Sequence, residues 1–196
     1  MEYYIINIPT VYCEGSKIMS YDIYLKEPLT KEVAKVPAHL MVGGTYMADY
    51  HPETGTFTPA LNTEAHLNIT YNYGCYYYEV YEDKGIREIY GMMGVDSIPI
   101  LENMIETLIN KYQQDGDWIY SKREKTFYYN ENGEQIEDPI KAWRDEEQVT
   151  TKKIIVDRYE GISTDYWEPT AANAIKPLYQ LIALAKMRPD CFWDGD

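Results

Sequence analysis

A chain of 196 residues suits one domain, or one domain with a small appendage, and can bury a core without staples. Its 32 Asp and Glu against 18 Lys and Arg give a net charge of −14, which argues against direct phosphate-backbone binding, since that needs clustered bases. The 21 tyrosines against 3 phenylalanines imply many half-buried positions, because a phenol pairs a large apolar body with a polar tip.

Residues 2–8 (EYYIINI) read as a strand ended by Pro9, and residues 18–25 (IMSYDIYL) as a second. The segment 26–36 suggests a short helix after Pro28 with Thr30 as its cap. Gly43-Gly44 marks a bend, and the turn-rich segment 51–65 reads as a loop. Leu67, Ile69, Tyr71 and Tyr73 then alternate with Asn68, Thr70, Asn72 and Gly74, the period of a half-buried strand. Beyond Gly74 the pattern fits two elements. Tyr77, Val80 and Tyr81 share a helical face, whereas Tyr76, Tyr78 and Val80 share a strand face, and aromatic content favours the strand. Residues 86–90 continue it.

Residues 97–114 form the clearest helix. Ser97 can cap it, Pro99 fits its first turn, and Ile98, Leu101, Ile105, Leu108, Ile109 and Tyr112 make its apolar stripe. Residues 117–137 read as a hairpin turning at Asn130-Glu131-Asn132-Gly133, residues 138–147 as a short helix, and residues 149–159 as a strand. The last helix starts near Thr170, carries Pro177 inside and stops before Pro189, after which Phe192 and Trp193 tuck back onto the body. The expected fold is α+β in a single domain, 1–196: an antiparallel sheet packed by two main helices, with a protruding β-hairpin. Residues 117–160 form an inserted elaboration.

Catalytic signatures are missing from the sequence. His39, His51 and His66 lack metal-ligand spacing, and no phosphate-binding loop or nucleophile elbow occurs. Cys13, Cys75 and Cys191 stand far apart without a CxxC pair, so reduced thiols in a cytoplasmic protein are expected, with no metal and no cofactor. The N-terminus lacks the basic and apolar regions of a signal peptide, and no apolar run is long enough to span a membrane.

The densest feature is the run from Tyr71 to Tyr81, which holds six tyrosines. Asn68, Thr70 and Asn72 can form a hydrogen-bonded ladder or, with Tyr71, Tyr73 and Tyr76 to Tyr78, edge a ligand pocket. Tyrosine also suits protein-binding hot spots. An acidic, phenol-rich face would fit a basic nucleic-acid groove, with carboxylates where phosphates sit and phenols where bases stack.

The stretches LNITYNYGCYYYEVY, GIREIYGMMGVDSIPILENMI and DYWEPTAANAIKPLYQLIALAKMRPDCFWDGD resemble a family of uncharacterised proteins from phages and integrated mobile elements of gut Firmicutes. Its markers are N-[IV]-T-x-N, the SIP helix, the YW…T…NA segment and a terminal DGD. The likeness spans residues 44–196, with 117–160 an insertion in some members. It implies a mobile-element setting, supplies no reaction, and matches at Asn68, Thr70, Asn72, Tyr166, Trp167, Asn173 and Asp194.

These readings converge on a non-catalytic binding protein that inhibits a host defence nuclease complex by mimicking nucleic acid. Its partner is a basic nucleic-acid-binding host protein, with no direct nucleic acid and no membrane. The binding residues expected are Asn68, Thr70, Tyr71, Asn72, Tyr76, Tyr77, Tyr78, Tyr166, Trp167 and Asn173. The alternatives are a small-ligand or nucleotide-sequestering protein with an Asn/Tyr-lined pocket, and an enzyme whose site assembles only in space.

Overall fold

The computed structural model describes residues 20–41, 48–59, 61–136 and 149–196. The expected strand at 2–8, the Gly43-Gly44 bend and the helix at 138–147 lie outside them. The fold is α+β with antiparallel sheets. The chain divides into two compact units, one of Met1–Lys111 with Ile162–Asp196 and one of Tyr112–Gly161.

In the first unit, β1 (Ser20–Lys26) alternates strictly. Tyr21, Ile23 and Leu25 are buried, while Ser20, Asp22, Tyr24 and Lys26 are half-buried. That period of two makes one face core and one face polar. β1 is the central strand of a sheet with β6 (His66–Thr70) and β12 (Phe192–Gly195), both antiparallel to it. The register sets Ile23 opposite Leu67, Tyr21 opposite Ile69 and Leu25 opposite Trp193, so each strand turns its apolar residues to the same side. The C-terminal tail thus tucks back as a strand, and Trp193 is fully buried.

The core is completed by α2 (Gly94–Tyr112) and α3 (Ala171–Met187). Leu101, Met104, Ile105 and Leu108 of α2 and Leu178, Leu181, Leu184 and Ala185 of α3 are buried, at the helical spacing expected of an inward stripe. The Thr170 hydroxyl accepts from the Asn173 N–H at 3.1 Å and caps α3. The N-terminus of α2 differs from expectation. The helix starts at Gly94, and Ser97 instead donates to the Gly94 carbonyl (2.7 Å) and accepts from Trp193 Nε1 (2.6 Å). The serine therefore ties the first turn of α2 to β12.

Three other expectations are corrected. Residues 26–36 form no helix: they turn and return as β2 (Lys35–His39), which pairs with β5 (Asn62–Glu64). Lys31 adopts a positive φ of 62°, which a helix interior does not accept, and Glu27 N–H donates to Glu32 C=O at 2.9 Å to close the turn. Residues 51–65 are not a loop. β3 (Ala48–His51) and β4 (Thr56–Pro59) make a hairpin whose turn uses Gly55 at φ 65°, and β5 follows. The strand period holds only to Thr70. A 3-10 turn (Tyr71–Tyr73) leads into α1 (Gly74–Val80), and Gly85–Ile89 is a second 3-10 turn, so no strand continues there.

In the second unit, β7 (Gln113–Gln114) and β8 (Asp117–Trp118) flank a turn at Asp115 and Gly116. β9 (Tyr120–Tyr129) then pairs with β10 (Gln135–Ile136) across the expected turn, where Asn130 Oδ1 accepts from the N–H groups of Asn132 (3.1 Å) and Glu134 (2.9 Å). β11 (Thr150–Tyr159) pairs with β9 along all ten of its residues. At the base, Glu160 is fully buried and accepts from Arg123 Nε at 3.0 Å and from the Ser121 hydroxyl. Arg123 also donates to the Tyr112 hydroxyl at 2.6 Å and lies over the Tyr112 ring. A buried carboxylate persists only with such compensation.

Candidate functional site

Of the residues singled out from sequence, Thr70, Asn72, Tyr76, Tyr77, Tyr166, Trp167 and Asn173 come together as an internal joint, whereas Asn68 bonds Ser20 and Asp22, Tyr71 stacks on Tyr21, and Tyr78 accepts from Arg87. The chain leaves β6 at Thr70, where the sheet ends, and coils into α1 over residues 162–174. Thr70 is buried; its N–H donates to the Tyr166 hydroxyl at 3.1 Å, and its own hydroxyl accepts from the Asn72 N–H. Asn72 Nδ2 donates to the Trp167 carbonyl at 2.8 Å. The phenols of Tyr73, Tyr76 and Tyr77 donate in turn to the main-chain carbonyls of Tyr166, Pro169 (2.7 Å) and Ala174 (2.9 Å). From the other side, Asn173 Nδ2 donates to the Asp165 (3.0 Å) and Glu168 (3.2 Å) carbonyls, and its Oδ1 accepts from the Ser163 N–H. Segment 162–174 has little regular structure before α3, and these side chains satisfy main-chain groups that a helix or sheet would otherwise satisfy.

Burial extends the neutral, donating state of Tyr73 and Tyr77 to higher pH. It pushes the Tyr73 and Tyr77 hydroxyls above the usual phenol range, with neighbouring Tyr166 adding to the effect. The expectation that Tyr76 and Tyr77 face a partner is therefore corrected: both rings are fully buried. Tyr71, Tyr78 and Tyr166 are half-buried, while Asn72 and Trp167 are exposed. Gly74 belongs to the same packing, since a Cβ there would lie 2.7 Å from the Tyr21 hydroxyl.

Sequence reading missed a second arrangement, on the polar face of the β12-β1-β6 sheet. Asn68 Nδ2 donates to Ser20 Oγ and to Asp22 Oδ1, each at 2.7 Å. His66 Nε2 lies 3.3 Å from the same Asp22 oxygen, and its ring stacks on Tyr24 with centroids 4.8 Å apart. Asp196 accepts from the Asp22 N–H at 2.9 Å, and Lys26 pairs with Asp194 at 2.5 Å. That bond to Lys26 holds the Asp194 carboxyl below the usual range, while burial and the nearby carboxylates raise the Tyr24 phenol. The signal was present in the sequence: the even-numbered residues of β1 are all polar or amphipathic. Chemically the row is a hydrogen-bonded ladder. Within it Ser20 accepts from Asn68, and His66 faces Asp22.

A third group joins Glu27, Asp190 and Cys191, whose donor atoms lie within 4.8 Å of one another. Arg188 already engages both carboxylates, at 2.7 Å to Glu27 and 2.9 Å to Asp190, and its bonds hold both acids below the usual range. Burial pushes the Cys191 thiol up to about 11. A guanidinium among the donors and a protonated thiol make this a poor cation site. Among the described residues no helix is long and apolar enough to cross a membrane. No family model, curated protein or solved structure matches the chain.

Proposed function

We propose that this chain is a non-catalytic binding protein of a phage or mobile element, and that it engages a basic nucleic-acid-binding host protein, such as a defence nuclease complex, through carboxylates rather than phenols. The mobile-element setting rests on the family resemblance of residues 44–196. The carboxylate reading rests on where the charge lies. The first unit carries twenty Asp and Glu against ten Lys and Arg, the second twelve against eight.

One observation carries the reading. Pro99, Glu102, Asn103, Glu106 and Asn110 form the exposed stripe of α2, and the end of α1 is held beside it. Asn103 donates to the Tyr81 hydroxyl at 2.9 Å, and Lys111 pairs with Glu79 at 2.9 Å. Glu82 and Asp83 follow directly. Glu82, Asp83, Glu102 and Glu106 are exposed and make no ion pair among the described residues. Carboxylates left to solvent on one side favour a cationic partner and raise its rate of encounter. The ligand-sequestering alternative loses support, because Asn68 and Asn72 already donate to internal partners.

The test is affinity capture from host cells with the wild-type chain and with a Glu82→Gln/Asp83→Asn/Glu102→Gln/Glu106→Gln variant. A basic partner released by duplex DNA and lost with the variant is expected. A partner that the variant retains, and that DNA does not displace, would overturn the reading.

A further inference from the structure

In the second unit β11 is the outermost strand of its sheet among the described residues. β11 gives one edge to β9, and among the described residues no strand takes the other. Ten residues of edge span roughly 33 Å, and such an edge is a ready template for another strand. The side chains along it are unusual in being self-complementary.

Thr151, Lys153, Ile155, Asp157 and Tyr159 share one face of β11. On that face Lys122 of β9 lies 2.6 Å from Asp157, and Lys153 lies 2.7 Å from Glu124. Ile155, at the middle, is 64% exposed. Two copies of one strand can join as antiparallel neighbours only about a two-fold axis perpendicular to the sheet, which keeps each face continuous and sets one residue opposite itself.

We propose that the β11 edge is a homodimer seam, with a second copy of this chain paired antiparallel about an axis through Ile155. In that register Lys153 stands opposite Asp157 of the second copy, and Asp157 opposite its Lys153. Ile155 meets Ile155, and Thr151 meets Tyr159. The charges then alternate across the joined sheet as Lys122, Asp157, Lys153 and Glu124, the last two from the second copy. Cross-strand pairs of opposite charge and β-branched pairs each favour a sheet register by a modest amount. On the opposite face Ile154 meets Val156. Lys152 meets Arg158 near the ends, a like-charge pair that opposes the register and keeps the association reversible. Centring on Ile154 would set Lys153 against Ile155, and centring on Val156 would set Asp157 against Ile155, so both neighbouring registers lose the two ion pairs.

The prediction has a charge-swap form. Lys153→Glu alone sets a glutamate against Asp157 of the second copy, and Asp157→Lys alone sets a lysine against its Lys153, so each variant repels its own copies. Mixed together, the two variants regain attraction where their substituted positions meet. Sedimentation equilibrium of the full chain should give twice the 22.9 kDa chain mass for wild type, monomer for each variant, and dimer again for the equimolar mixture. Each single variant should weaken self-association at least tenfold, with an unchanged circular dichroism spectrum. Ile155→Asp, at a solvent-facing position of the monomer, supplies a second disruption should either swap fail to fold. Wild type that sediments as monomer throughout, a dimer indifferent to all three variants, or a mixture that stays monomeric would each overturn the proposal.

Discussion

Two stretches of this chain are rich in tyrosine, and the fold uses them in opposite ways. Between Tyr71 and Tyr81 the rings of Tyr73, Tyr76 and Tyr77 are buried, and their hydroxyls donate to the main chain of segment 162–174. In the β9–β11 ribbon, Tyr120 and Tyr159 sit ring against ring and remain exposed. What separates them is the company each keeps. The first stretch has a helix and an irregular segment folded over it, which need an apolar filler and a set of donors. The second belongs to a ribbon with few neighbours to bury it. Counting tyrosines therefore says little about a docking face until the number of layers above them is known.

Side-chain deletion separates the two stretches most strongly. Tyr77→Ala should destabilise the first unit by about 3–5 kcal/mol, as large-to-small core changes do, whereas Tyr120→Ala should shift stability by about 0.5 kcal/mol or less. Chemical denaturation of each variant reads the difference, and similar losses for both would erase the contrast. A comparable effect is expected at the base of the ribbon. Glu160→Ala strips the carboxylate from Arg123 in a buried setting and should cost about 3–5 kcal/mol, read as lost amide protection within Tyr112–Gly161.

Removing single hydroxyls sharpens the comparison further. Tyr77→Phe leaves the Ala174 carbonyl without that donor and should cost about 1–2 kcal/mol. Tyr21→Phe should be neutral or slightly stabilising, since that buried hydroxyl has no hydrogen-bond partner among the described residues. Thermal melts of the two variants, run side by side, should therefore move unequally.

The smallest effect near neutrality, though one that grows with pH, is alkaline destabilisation. Burial raises the Tyr21, Tyr73 and Tyr77 phenols well above their usual 10.0, and it raises the Cys191 thiol from 9.0 to about 11. Above pH 9 the unfolded chain releases these protons while the folded chain keeps them, so the unfolded state is favoured as pH rises. Stability should hold below pH 9, begin to fall as the thiol ionises in the unfolded chain, and steepen above pH 10. The tyrosinate absorbance of the exposed rings should rise first and that of the buried rings only together with unfolding, so the full absorbance of every ring reached before unfolding would contradict their burial.

Much of the scaffold is legible in the sequence because it follows a single period. β1, β6 as far as Thr70, the body of α2, the hairpin turn at Asn130–Gly133, β11 and α3 all show it. The misread segments are those where tertiary packing chose between two patterns. Tyr73, Tyr76 and Tyr77 lie at i, i+3 and i+4, a helical face, yet aromatic content favours strand when each residue is weighed alone. Packing beneath segment 162–174 selected the helix. Around Pro28, a helix-compatible composition gave way to a turn because Lys31 could take a positive φ. The polar ladder of Ser20, Asp22, His66 and Asn68 was hidden for another reason, as it joins two strands more than forty residues apart whose register only the sheet defines.

On the proposed reading, buried phenols fasten the first unit from within, and carboxylates with no ion pair among the described residues meet a cationic partner. The most direct test is the affinity for a captured partner, measured across a range of salt concentrations, for wild type and the Glu82→Gln/Asp83→Asn/Glu102→Gln/Glu106→Gln variant. Affinity should fall steeply with salt for wild type, with a weaker, flatter dependence for the variant. Equal affinities with equal salt slopes would contradict it.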